Sequence, residues 1–166
     1  ALLAVGVSMA SVPALPVFAE PLGGQVVGGV GNIDQAGKTT TVKQDTSRLL
    51  LDWEDFSIEV DETAEFIQPS TSATALNRVV GGVPSQIDGA LKANGNVWIV
   101  NENGITFNRS ARIDVGGLLA TTSDIANEDF MAGDYKFQDP KNPDAKIINH
   151  GEITFGEAGL AALAAP

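Results

Sequence analysis

Cysteine is absent from the 166 residues and histidine occurs once. Neither a disulfide scaffold nor a thiolate metal site is therefore available. The lack does not assign a compartment, but it suits a chain threaded unfolded through a pore, where a covalent loop would jam. Aromatic residues make up only 6% of the chain, which suits thin, repetitive β structure better than a helical bundle. Basic residues are scarce as well: ten Lys and Arg stand against 21 Asp and Glu, for a formal net charge of −11. Nucleic-acid binding depends on cations that neutralise phosphates, so that role is excluded, and attachment to anionic lipid fails for the same reason. The acidity serves solubility and resistance to self-association. The only long apolar run, residues 1–12, is too short to cross a bilayer.

What the chain does contain is turns. It holds 18 Gly and 8 Pro, with 43% hydrophobic and 19% charged residues, a balance typical of one folded domain with a real core. In residues 94–122, very short apolar runs alternate with Asn/Gly corners, and only Glu102, Arg109, Arg112 and Asp114 carry charge. Runs this short cannot form ordinary helices, and corners at every break argue against one long hairpin. The pattern predicts a chain that turns repeatedly and stacks coil upon coil.

The candidate strands follow from that reading. Val26, Val27 and Val30 in a Gly-rich stretch could build only short strands. Residues 38–42, rich in Thr, form a strand suited to an edge. In residues 49–58, Trp53 and Phe56 are spaced to pack beside a turn. Residues 62–68 alternate weakly, and residues 75–80 end at Gly81-Gly82. Residues 84–91 read as a turn-rich connection. The main strands are 97–100, 105–107, 111–115 and 118–122. Ala111, Ile113 and Val115 share one face, with Arg112 and Asp114 on the other. Residues 97–100 are apolar on both faces, so this strand should be covered outside as well as in. Residues 123–144 break the rhythm and form an excursion, with a short helix over 125–131 capped by Ser123 or Asp124. Ile105-Thr106-Phe107 recurs as Ile153-Thr154-Phe155, and a Leu/Ala strand follows each at 118–122 and 160–164, as in a solenoid repeat. The sequence ends without a polar capping unit, which predicts further chain beyond Pro166.

The N-terminus is read as the remainder of a signal peptide. The apolar run 1–12, Pro13 and Pro16 lead to Val17-Phe18-Ala19, small enough at its first and third positions for cleavage between Ala19 and Glu20. No Lys or Arg precedes the run, so the signal is expected to begin upstream of Ala1. The organisation expected is a truncated signal peptide over 1–19 and one domain over 20–166.

Three motifs carry the functional reading. Asn101-Glu102-Asn103-Gly104 sits between two strands, where Asn and Gly satisfy backbone groups at a corner. Residues 75–82, 84–105 and 111–125 together resemble the N-terminal secretion domain of two-partner secretion exoproteins. This is the filamentous-haemagglutinin-type haemagglutination activity domain of large adhesins, haemolysins and contact-dependent toxins. The likeness runs from about Gln25 to the end. It implies an all-β fold: a right-handed parallel β-helix (β-solenoid) with an N-terminal cap and short extra-helical elements. It implies Sec export, recognition by the periplasmic domains of a dedicated outer-membrane β-barrel transporter, and folding nucleated at the surface of a Gram-negative cell. The family's Asn-Pro-Asn-Gly motif falls on Asn101, Glu102, Asn103 and Gly104, with Glu102 in place of proline. Its Asn-Pro-Asn-Leu motif has no counterpart. Asn77, Arg78 and Val79 form the secondary motif. No cofactor is implied, and any host-cell or carbohydrate ligand would belong to later regions of the exoprotein.

Two other readings compete. A carbohydrate-active β-helix enzyme would need converging carboxylates, and the only dense acidic run is Asp52, Glu54, Asp55, Glu59, Asp61 and Glu62. With Trp53 and Phe56 interleaved, it reads better as a solvated face. His150, at a corner before Gly151, supports no triad. A passive adhesive module would bind cells directly. Gly28 to Asp34 loosely matches one Ca²⁺-binding nonapeptide, but such sites need stacked copies. Asn108-Arg109-Ser110 forms a glycosylation sequon, discounted in a chain of bacterial type.

Overall fold

A computed structural model describes residues 20–157 and 159–166. The cleavage position therefore falls at its margin, and the signal-peptide expectation over 1–19 lies outside the described residues.

The chain winds into stacked coils with three sides. The first coil contains β3 (Thr39–Gln44) and β4 (Arg48–Trp53). The second contains β5 (Thr63–Ile67), β6 (Thr74–Val79) and β7 (Ser85–Ile87). The third contains β8 (Ala90–Ala93), β9 (Asn96–Val100) and β10 (Ile105–Phe107). The fourth contains β11 (Arg112–Val115), β12 (Gly117–Thr121) and β13 (Ile147–Asn149). The fifth contains β14 (Glu152–Phe155) and β15 (Ala161–Ala164). Before them come β1 (Gln25–Gly28) and β2 (Gly31–Ala36), and the helix α1 (Asn127–Ala132) interrupts the fourth coil.

One sheet runs β1-β4-β6-β9-β12-β15, a second β7-β10-β13, and a third β2-β3-β5-β8-β11-β14. Coil-to-coil pairing is parallel throughout, whereas β1 on β4 and β2 on β3 are antiparallel. The body is a parallel β-helix, and the two antiparallel strands seal its first coil. The Thr-rich strand is consequently interior to its sheet, between β2 and β5, rather than at an edge.

Parallel register stacks like positions into rows. Leu49, Ala75, Val97, Leu118 and Ala161 form one inward row, and Leu51, Asn77, Ile99, Ala120 and Leu163 form the next. Trp53 and Phe56 meet edge to face at 5.4 Å inside the stack. Burying one such large apolar side chain contributes about 1.5–3 kcal/mol, so these rows hold the coils together.

A second, smaller core lies outside the first sheet. Leu50, Leu76, Trp98 and Leu119 form an outward row. Leu50, Leu76, Val100, Ile125 and Phe130 pack together there, with Trp98 and Met131 against them. The excursion thus supplies the outer cover expected for residues 97–100. Trp98 contacts the rings of Phe130 at 5.6 Å and Tyr135 at 4.7 Å.

Several local expectations are corrected. Residues 84–91 are not a mere connection, since they begin β7 and β8; strands of three or four residues fall below the length at which alternation shows. Helix α1 starts later than expected, and its N-cap is Ala126, with no side-chain cap hydrogen bond. The Asp124 carboxylate instead accepts from the Ile125 N–H and from Arg78. The two Ile-Thr-Phe copies lie in different sheets: Ile105 pairs with Ile147, and Ile153 with Ile113. The Leu/Ala strands are true neighbours, with Leu118 beside Ala161.

Candidate functional site

Asn101, Glu102, Asn103 and Gly104 form the corner from β9 to β10, as their turn chemistry requires. Asn101 is fully buried. Its Nδ2 donates to the Val83 carbonyl and to Ser85 Oγ, both at 3.0 Å, and its Oδ1 accepts from the Asn103 N–H at 2.9 Å. Its own N–H donates to the Thr121 carbonyl, and its carbonyl accepts from Gly104. One side chain thus ties its own turn to the preceding coil. Asn103 adds a longer bond, 3.3 Å, to the Gly81 carbonyl.

Gly104 has φ of +108°, and a Cβ there would meet the Lys146 carbonyl oxygen at 2.8 Å. Only glycine fits a left-handed turn pressed against the following coil. Glu102 pairs with Lys141 at 2.7 Å. That hydrogen bond raises the Lys141 pKa. The following coil repeats the turn: Asn142 Oδ1 accepts from Asp144 N–H, and its carbonyl accepts from Ala145 N–H. Asn142-Pro143-Asp144-Ala145 is therefore a second Asn-led corner leading into β13 as the first leads into β10, with its Asn one residue earlier in register. The sequence offered Asn142-Pro143 as its signal, but reading it only as the end of the excursion hid the equivalence.

Asn77, Arg78 and Val79 lie on β6, where alternation separates their roles. Asn77 points inward and is fully buried, as is Trp53. It accepts from the Trp53 indole N–H at 3.0 Å and donates to the Trp98 carbonyl at 3.2 Å. Val79 also points inward. Arg78 points outward, with its side chain only 12% exposed. Its guanidinium donates to Asp124 at 2.8 Å, Asp52 at 3.2 Å, Asn127 at 2.7 Å and the Ile125 carbonyl at 2.6 Å. The structure therefore brings Asn77 and Arg78 no closer to a common surface: one serves the inner core and the other the excursion. A buried amide ladder went unread in the sequence, in which Gln68 Nε2 donates to Gln44 Oε1 at 3.0 Å and its Oε1 accepts from Gly95 N–H.

The acidic run does not converge. Asp52 is held by Arg78, Asp55 accepts from Ser57, and Asp61 pairs with Lys38. Glu62 is buried and accepts from the Glu59 N–H at 2.9 Å. Burial pushes its pKa up, against the lowering effect of that backbone bond. The side chain of Asn108, in the sequon, is engaged with Asp88 and Gln86. His150 is exposed at its corner.

Comparison with known proteins places this geometry. Two curated proteins named heme/hemopexin-binding protein are similar to it, both from Haemophilus influenzae. The first, from strain KW20/Rd, is 38% identical over 135 residues, which is 80% of this chain and 15% of that protein. The second is 39% identical over 111 residues, 67% of this chain and 12% of that protein. The chain thus spans about 15% or less of these relatives' length. The crystal structure of the HMW1 secretion domain from Haemophilus influenzae superposes with a TM-score of 0.81 at 34% identity, covering 86% of this chain and 38% of that one. The model of the TPS secretion domain matches residues 21–165, and the chain belongs to that family of two-partner secretion domains.

Proposed function

We propose that this domain directs a much larger exoprotein to a dedicated outer-membrane β-barrel transporter, whose periplasmic domains recognise it after Sec export. It then nucleates β-helix folding at the cell surface of a Gram-negative bacterium. Residues 1–19 belong to the signal peptide, removed between Ala19 and Glu20, and residues 20–166 belong to the exported domain. The exoprotein's own activity, whether adhesion, haemolysis, toxin delivery or the ligand binding for which the curated relatives are named, resides in later regions. In this reading, Asn101, Glu102, Asn103 and Gly104, with Asn77, Arg78 and Val79, build the export-competent state rather than perform bond chemistry.

The observation that carries this reading is the parallel coil stack sealed at its first coil by antiparallel strands. Such a stack grows by nearest-neighbour addition and resists withdrawal once formed. Main-chain groups of extended segments also suit capture by a partner strand before the coils close. The test is co-expression with the transporter, read as exoprotein in the medium, beside pull-down by the transporter's isolated periplasmic domains. Secretion and capture that both depend on this domain support the proposal. Binding to cells or glycans without capture by the periplasmic domains favours the passive adhesive module, and polysaccharide cleavage favours the enzyme.

A further inference from the structure

We propose that Arg48 and Arg78 form a two-point latch fastening the excursion across coils laid down before it, and that closing this latch is a step in export distinct from coil stacking. The proposal rests on the export reading above.

The excursion leaves the stack after β12, yet the arginines and the apolar residues that anchor it precede it in the chain. At its start, Arg78 of the second coil holds Asp124, the Ile125 carbonyl and Asn127. At its far side, Arg48 of the first coil donates to the Tyr135 hydroxyl at 3.2 Å and lies 6.0 Å from that ring's centre. The same guanidinium crowds Gly133, the left-handed residue that ends α1. A cation beside a helix C-terminus is favourable. Between these points the fully buried Phe130 and the half-buried Met131 pack over Leu50, Leu76, Trp98 and Val100, which belong to the first three coils.

This strap therefore spans four coils, including the one it leaves. Arg78 serves it with a planar fork that reaches several acceptors at once, which a lysine could not do. The coils do not need the strap for their own pairing, since the main-chain ladders and inward rows are complete beneath it. Where the coils form in sequence order, the strap closes only after the coils it covers, and it then splints them against unwinding.

The decisive measurement is hydrogen exchange by mass spectrometry on the purified chain. In Arg78→Gln, and more so with Arg48→Gln added, opening of residues 123–138 should rise about tenfold to a hundredfold, the scale of losing charge-assisted hydrogen bonds. The β6, β9 and β12 amides should keep their protection. Arg78→Lys should recover only part of the effect, and Phe130→Ala should open the same segment without touching either arginine. Loss of protection in β6 and β9 together with the strap would overturn the latch, making Arg78 part of the coil stack; an unchanged strap would overturn it equally. In the export assay, Arg78→Gln should still be captured by the periplasmic domains while reaching the medium at a reduced rate. Normal secretion with an open strap would overturn the export step. Failure of the unmutated chain to be captured would instead sink the reading on which this rests.

Discussion

Replacing Asn101 by alanine should cost far more than the surface position of its turn suggests. The side chain makes three bonds, to the Val83 carbonyl, Ser85 Oγ and the Asn103 N–H. Ser85 is fully buried, as Asn101 is, so water cannot readily replace what is lost. Each buried polar group left without a partner costs about 1–3 kcal/mol. Ser85 Oγ is orphaned inside the coil, while the Val83 carbonyl and the Asn103 N–H lie at part-buried sites and lose less, so the sum is about 2–4 kcal/mol, a large share of the roughly 5–15 kcal/mol that stabilises a typical domain. Asn103→Ala loses one 3.3 Å bond at a half-exposed site and should cost less than about 1 kcal/mol. Urea unfolding followed by tryptophan fluorescence measures both. At a slope of about 2 kcal/mol per molar, Asn101→Ala should lower the midpoint by about 1–2 M and Asn103→Ala by less than about 0.5 M. Secretion should fall in the same order. Equal midpoints for Asn101→Ala and the unmutated chain would refute the reasoning. If secretion nevertheless failed in that stable variant, a partner would be reading Asn101 directly.

Three further outcomes are expected. Gly81→Ala should destabilise strongly, by about 2 kcal/mol or more, because its Cβ would sit 1.9 Å from the Glu54 carbonyl oxygen, whereas Gly82→Ala meets nothing within 4 Å and should be near neutral by the same urea titration. Asn77→Ala should cost about 1–3 kcal/mol by stranding the Trp53 indole N–H, and a double-mutant cycle with Trp53→Phe should return part of that cost. Glu62 has a folded pKa raised by burial, so its stabilising share is fully present below the ordinary carboxylate range and is lost as pH rises through the folded value. Glu62→Gln, which keeps an acceptor for the Glu59 N–H, should therefore match or exceed the unmutated chain at pH 7, with the difference closing as the pH is taken below 4; a clear loss of stability at pH 7 would contradict this.

The parts of the fold legible in the sequence were those where side-chain pattern alone sets the outcome. Ala111, Ile113 and Val115 alternate with exposed partners, and the apolar run 97–100 has no polar face and so requires an outer cover. What stayed hidden was set by contacts between distant coils. Ser85–Ile87 and Ile147–Asn149 are strands only because β10 lies between them, and three residues carry no period of their own. The Ile-Thr-Phe copies misled because likeness of triplets says nothing about which side of the coil each occupies. Asp124 looked like a helix cap since its nearest neighbours permit one, but Arg78, 46 residues away, claims its carboxylate. At the Asn101 corner the turn chemistry was readable. The acceptors that make it costly to disturb, at Val83 and Ser85, were not.

The burial of Asn77 and Asn101 constrains how the proposed export motif can work. A fully buried side chain cannot be a contact for a transporter domain docked on the finished coil. Asn101 therefore acts either by holding the corner once folded or by being touched while the chain is still extended. These alternatives separate by order of events. If folding is what matters, any substitution restoring corner stability, even at a distance, should rescue secretion of Asn101→Ala in proportion to its urea midpoint. If the extended chain is what is read, stabilising the coil elsewhere should leave secretion low, and an unfolded peptide carrying residues 94–107 should compete for the periplasmic domains. The geometry favours the first, because both amide protons of Asn101, and one of the two lone pairs on its oxygen, are engaged inside the folded corner.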